Sequence, residues 1–276
     1  MKKSVILALV FFIGCALFAD EIMTYAPIKG NVKSYTKTEY SIASKFGNYF
    51  RTPSVKFSHT FDEKGLEVES SELSAKDVVL NKINSVYDED NRLKEQICTD
   101  AEGVIVWKSI TTYKDGLKID VSEYDALNSL KGRTIFTYEN KLLVDESSYN
   151  GDGVLVWKTT YKYNAAGKCE TVSEYFANGG LSEQYTYTYT ENGNIETIST
   201  YSSFENAYSQ KVFRYGSDGV LNEITTYDDA KQVSKRLLLK YDNSGNVARI
   251  SDYEVSEKFG TVINDLIFMA EYVYEY

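Results

Sequence analysis

The stretch Leu181-Ser-Glu-Gln-Tyr185-Thr-Tyr187-Thr-Tyr189-Thr-Glu-Asn-Gly-Asn194-Ile-Glu-Thr-Ile-Ser-Thr-Tyr201 decides the fold. Tyr185, Tyr187 and Tyr189 alternate with Thr186 and Thr188. A period of two in aromatic and β-branched residues means a strand. Glu191-Asn-Gly-Asn194 follows, and Gly and Asn accept the positive φ that a tight hairpin turn requires. Glu196-Thr-Ile-Ser-Thr200 then runs back as a second strand.

This unit recurs along the chain. One aromatic column runs Phe61, Tyr87, Tyr113, Tyr138, Tyr163, Tyr189, Tyr215, Tyr241, with steps of 25 or 26 residues. A second runs Leu73, Thr99, Tyr124, Tyr149, Tyr175, Tyr201, Tyr227, Tyr253, always 14 residues before the next first-column Tyr. The return step is 12, or 11 where Tyr113-Lys-Asp-Gly-Leu117 and Tyr138-Glu-Asn-Lys-Leu142 shorten the turn. Gly103-Val-Ile-Val-Trp-Lys and Gly153-Val-Leu-Val-Trp-Lys are near copies. A fixed period of this size marks a repeat architecture of stacked supersecondary units. Both prolines, Pro27 and Pro53, precede the repeats, which leaves every later strand free to donate to its neighbours.

The expected fold is therefore all-β: a long antiparallel meander of about 16–17 strands built from 25–26-residue hairpin repeats. An open sheet of that size must curl or split. A twisted or curled ribbon is the first expectation and a closed β-barrel the alternative. Residues 57–255 form the repeat domain, 20–56 an N-terminal capping segment and 256–276 a C-terminal capping strand.

Tyr241-Asp-Asn-Ser-Gly-Asn246 and Tyr163-Asn-Ala-Ala-Gly167 resemble the YD repeats of the RHS family, over roughly residues 57–255. The resemblance implies a β-ribbon whose hairpins are closed by Tyr-Asp turns. It implies nothing about activity.

The N-terminus carries an address. Met1-Lys2-Lys3 precedes an apolar run from Val5 to Ala19, which reads as a signal peptide over 1–19. A loose lipobox, Phe12-Ile13-Gly14-Cys15, offers Cys15 as an alternative lipidation site. Export to the periplasm, the outer-membrane surface or the medium follows. Cys98 and Cys169 then lie three repeats apart, too far to bridge in an open ribbon, and are expected as free thiols.

Composition excludes several functions. With 30 basic and 40 acidic side chains the net charge is −10, which opposes nucleic-acid binding. One His removes most His-based metal sites and triads. Asp88-Glu-Asp-Asn91 lacks the Gly and distal Glu of a calcium loop and reads as turn chemistry. No catalytic, cofactor or metal residues are assigned, and His59 is expected as a core filler.

Two residues before the first column lie His59, Ser85, Thr111, Phe136, Tyr161, Tyr187, Phe213 and Leu239, the expected packed face. Five before it lie Lys56, Lys82, Lys108, Arg133, Lys158, Gln184, Gln210 and Arg236, on the opposite face. These are expected to pair across strands with acids such as Glu95, Asp120, Asp145, Glu170 and Glu196. The column tyrosines are expected to half-bury their rings and leave their hydroxyls in water. The functional expectation is an exported, non-enzymatic scaffold that binds a protein or glycan, with an outer-membrane barrel as the alternative. Membrane association enters only through a lipid anchor or as that barrel.

Overall fold

The computed structural model describes residues 21–45 and 48–276; Cys15 and the rest of segment 1–19 lie outside them. A short helix, α1, spans Glu21–Tyr25. The strands are β1 (Ser34–Lys45), β2 (Asn48–Phe61), β3 (Glu67–Ser74), β4 (Val79–Tyr87), β5 (Leu93–Asp100), β6 (Ile105–Lys114), β7 (Leu117–Asp125), β8 (Leu130–Glu139), β9 (Leu142–Asn150), β10 (Leu155–Tyr163), β11 (Cys169–Phe176), β12 (Leu181–Tyr189), β13 (Ile195–Ser202), β14 (Ala207–Tyr215), β15 (Leu221–Tyr227), β16 (Val233–Tyr241), β17 (Val247–Lys258) and β18 (Thr261–Glu275).

Each strand pairs with its chain neighbours, and β1 also pairs with β18, from Ser34↔Glu275 to Tyr40↔Met269. The sheet is thus a closed antiparallel β-barrel of 18 strands, not an open ribbon. Closure removes both sheet edges. The strand beyond the expected seventeen is β1, whose turn to β2 no column residue marks. β1 and β2 lie largely within segment 20–56 and form part of the wall. The link after Tyr253 is itself strand, paired down to Lys258↔Thr261.

The turns repeat one design. Asp62 Oδ1 accepts from the amides of Lys64 and Leu66, both at 2.9 Å, while Gly65 takes φ 78° and its amide bonds the Asp62 carbonyl. This is a type I turn closed by a left-handed residue. Asp88, Asp100, Asp125, Asn150, Asn164 and Asp242 accept the same pair of amides in their own turns. In the two shortened turns, Asp115–Gly116 and Asn140–Lys141 put two successive residues at positive φ, as a type I′ turn demands.

The first-column tyrosines do more than punctuate. Tyr87, Tyr113, Tyr138, Tyr163, Tyr189, Tyr215 and Tyr241 each donate a hydroxyl to the carbonyl 20 residues earlier, from Glu67 to Leu221, at 2.5–2.9 Å. That acceptor is the first or second residue of the preceding strand. Each ring therefore ties one hairpin to the one before it. This corrects the expectation of water-facing hydroxyls: the first column is a hydrogen-bonded ladder. The second column lies on the opposite face of the sheet, because Tyr124 is in register with Lys108 and Tyr149 with Arg133.

Candidate functional site in the lumen

The first-column face is the concave one. One cavity on it, about 430 Å³, is lined by Ile22 and Tyr25 of α1, by Lys37 of β1, and by residues of β14 to β17. From β14 to β1 is five strand steps, about 24 Å on a flat sheet. Only a wall curving round α1 brings those side chains to one small cavity. In a closed barrel the concave face is the lumen.

The helix lies against this inner wall. Ile22 is 6% exposed and belongs to one apolar cluster with Ile198, Phe213, Leu239, Ile250 and Tyr272. Tyr25 meets the edge of Phe213 at 4.9 Å between centroids. Asn246, 1% exposed, clamps the following segment: it accepts from the Lys29 amide at 2.6 Å and donates to the Lys29 carbonyl at 3.0 Å.

Two cavities flank the helix. The first, about 390 Å³, sits at the first-column end, between Tyr25, Pro27 and Lys29 and the residues Asn194, Tyr215, Asp218 and Tyr241. The second has an apolar floor of Ile22, Ile224, Leu237 and Ile250 and a polar wall of Lys37, Lys211, Thr226, Lys235 and Asp252. Burial pushes the Asp252 carboxyl up, and Lys235 and Lys211 pull it back. Lys37 is held by Glu39 at 2.8 Å. The chemistry is that of an amphipathic pocket with three ammonium groups on one side.

Farther round the wall the inner face is acidic. Glu174 stands in register with Glu183. Burial first, then Glu183 and Glu146, push Glu174 up to about 7. Glu123 is raised by burial. The Tyr161 hydroxyl donates to Glu146 at 2.9 Å and that of Tyr185 donates to Glu183, and burial raises both phenols.

His59 is 2% exposed and stacks on Tyr35 at 4.4 Å. Its Nδ1 lies 3.1 Å from Glu67 Oε1, while Nε2 has no hydrogen-bond partner among the described residues. Facing a carboxylate oxygen, Nδ1 is the nitrogen placed to donate. Cys98 is buried, Cys169 is half-buried, and both are free. Among the described residues no group of three or more His, Cys, Asp or Glu could hold a metal ion. Asp88 serves its turn and pairs with Arg92, which holds its carboxyl below the usual range.

The outer face carries the basic ladder as ion pairs. Lys82 reaches Glu69 at 3.0 Å, Lys158 reaches Asp145 at 2.5 Å, Arg133 pairs with Asp120, and Arg236 pairs with Glu223 at 2.9 Å. Asp120 and Asp145 were the expected partners; Glu69 and Glu223 occupy the same role in other repeats. Lys108 instead lies over the Tyr124 ring, at 5.3 Å. Gln184 and Gln210 donate to Ser173 and Ser199. These positions lie mid-strand, so charged and polar side chains interrupt the outer face there.

No protein family matches the chain, and no curated protein does. Solved structures match the fold. A porin-like protein from Bacteroides uniformis ATCC 8492 superposes with a TM-score of 0.50 at 12% identity, over 90% of this chain and 99% of that one. A porin-like protein from Bacteroides vulgatus ATCC 8482 aligns at 11% identity, over 88% and 98%, with a TM-score of 0.32. At 12% identity the first likeness speaks for the barrel fold alone. The lumenal site could not be read from the sequence: its lysines fall on β1, β14 and β16, and only closure brings Lys37 to the others.

Proposed function

We propose that this chain is a bacterial cell-envelope β-barrel, without catalytic activity, that holds a small amphipathic anion in its lumen beside α1. The observation that carries this is the 430 Å³ cavity, with an apolar floor and Lys37, Lys211 and Lys235 on its polar wall. Pockets of this size suit small ligands. The polar outer face favours a barrel bathed in water. A charged residue at the bilayer midplane costs a membrane barrel about 2–4 kcal/mol, and here the ladder repeats around the wall.

Native mass spectrometry of protein purified from the envelope fraction tests the reading. An adduct of an anionic amphiphile is expected on the wild type and lost from the double variant Lys211→Glu, Lys235→Glu. Equal adducts on both proteins would place the ligand elsewhere, and a bare wild-type mass would end the proposal.

A second reading, a barrel inserted in the outer membrane, is favoured by the closed meander and by the porin-like description of its structural neighbours. Extraction of envelopes with alkaline carbonate separates the two. Release without detergent supports the water-bathed barrel, and retention in the membrane supports the inserted one.

A further inference from the structure

The cavity of about 390 Å³ at the first-column end is distinct from the anion site proposed above. Three successive turns bound it, β12–β13, β14–β15 and β16–β17, and the segment from Thr24 to Lys29 covers it. Two rungs of the tyrosine ladder, Tyr215 and Tyr241, line it. Their hydroxyls are already given to the Ile195 and Leu221 carbonyls, at 2.8 and 2.6 Å. What these rings offer the cavity is therefore carbon surface.

The turn design changes at this place. After Phe61, Tyr87, Tyr163 and Tyr241 the capping position holds Asp or Asn. After Tyr189 and Tyr215, in two of the bounding turns, it holds Thr190 and Gly216. A Cβ at Gly216 would lie 2.6 Å from Asp218 Oδ1 and 2.8 Å from Asn222 Nδ2, so the glycine leaves that space to the Asp218 carboxylate. Oδ1 of Asp218 accepts from the Val220 amide at 3.1 Å, while Oδ2 has no partner among the described residues. The Asn194 carboxamide has none among them either. The Lys29 side chain lies over Gly245, and its ammonium forms no ion pair among the described residues. The Asp218 carboxylate is near enough to Tyr241 to help burial raise its phenol to about 12. Departures from a local rule gather at functional sites.

We propose that this cavity binds a neutral pyranose sugar, its carbon face against Tyr215 or Tyr241 and its hydroxyls held by Asp218, Asn194 and Lys29. Three features select that class. The wall carries one carboxylate and one ammonium, so an anion meets Asp218 and a cation meets Lys29, whereas the other cavity has three ammonium groups. Each sugar hydroxyl both donates and accepts; Asp218 accepts, Lys29 donates and Asn194 does both, so neighbouring hydroxyls find matched partners. A pyranose also presents a face of C–H bonds, whose positive edge suits the negative face of an aromatic ring. The volume is that of a small-molecule site. The tips of the bounding turns, Glu191-Asn192, Ser217-Asp218 and Asn243-Ser244, are polar, so the cavity is reached from water.

NMR titration of the full chain, processed as in the cell, with maltose, cellobiose, lactose and diacetylchitobiose tests the site. At least one of these sugars is expected to bind. The double variant Asn194→Ala, Asp218→Ala is expected to weaken that sugar at least about tenfold. Thr24→Trp, an exposed position on the covering segment, fills the cavity with those polar groups still in place and is expected to abolish binding. Lys211→Glu, Lys235→Glu is expected to leave it unchanged, so the two sites succeed or fail separately. Circular dichroism on the same samples shows whether the barrel is kept. A double variant that unfolds is replaced by Asn194→Ala alone, whose carboxamide serves no turn. The same sugar linked through its reducing end to albumin separates its sources: capture of the conjugate marks the end of a glycan chain, and binding of the free sugar alone marks a soluble oligosaccharide. A wild type that binds none of the sugars would overturn the proposal. So would binding that survives Thr24→Trp in a folded barrel, or glycylglycine or glucuronate binding more tightly than every neutral sugar.

Discussion

One half of the barrel wall has an inner layer and the other does not, although both are woven from the same repeat. From β12 round to β1 the lumenal face carries an apolar cluster, broken by the lysines and Asp252 of the cavity wall, and α1 lies on that cluster. From β7 to β11 the same face shows Glu123, Thr134, Glu146, Thr159 and Glu174. The repeat specifies turns, ladder and register. What the lumenal positions carry is left free, and that freedom is what gives the barrel a site. The sharpest test pairs two residues at the same place in the repeat. Phe213 is 4% exposed and lies under Tyr25; Phe136 is 6% exposed, with the Lys118 ammonium 4.0 Å from its ring centre. Phe213→Ala should cost about 3–5 kcal/mol, because it opens a void between wall and helix. Phe136→Ala should fall at the lower end of that range, about 3 kcal/mol, because Phe136 lies outside the cluster that holds α1. Urea unfolding midpoints measure both. Equal losses would show that α1 adds nothing to the wall.

A smaller contrast separates the two tyrosine columns. Tyr241→Phe leaves the Leu221 carbonyl without its 2.6 Å donor in a part-buried place, and should cost about 1–1.5 kcal/mol. Tyr124 faces outward beneath Lys108 at 5.3 Å, and Tyr124→Phe keeps that ring contact, so its change should stay within about 0.5 kcal/mol. Thermal unfolding of the pair decides the point. A matching loss at Tyr124 would dissolve the distinction between the columns. The spacing of these tyrosines was legible because local turn geometry dictates it: the 11-residue steps fall at Asp115–Gly116 and Asn140–Lys141, where the type I′ turns sit. The hydroxyl's partner was not legible, since a step of 20 residues acquires meaning only once neighbouring hairpins are stacked. Closure was open for the same reason. Whether Ser34 meets Glu275 depends on accumulated twist over 18 strands, which no local pattern encodes. The charge ladder, by contrast, could be read in advance, because cross-strand pairing is set by the same alternation that sets the faces.

The finest contrast is electrostatic and sits one residue before a second-column tyrosine. There the helix-lined half has Asp252, drawn back toward its charged form by Lys235 and Lys211, and the open half has Glu174, opposed by Glu183. Glu174 is raised from 4.5 to about 7 in the fold. Between those pH values the folded barrel holds a proton that the unfolded chain releases. Stability from this group is therefore fullest below about pH 4.5 and declines as pH rises through 7, then levels off. The carboxyl is only part-buried, so solvent screening reduces the penalty to on the order of 1 kcal/mol. Glu174→Gln should leave stability unchanged at pH 4 and raise it by about that amount at pH 8. Asp252 is raised too but drawn back by its lysines, so Asp252→Asn should bring a smaller gain of the same sign. Melting temperatures across this pH range expose the difference as a slope present in the wild type and reduced more in the Glu174 variant than in the Asp252 variant. A wild-type profile that is flat from pH 4 to 8, or one whose slope survives Glu174→Gln, would mean that the acidic half of the lumen is as well solvated as any surface, and the two halves would differ in packing only.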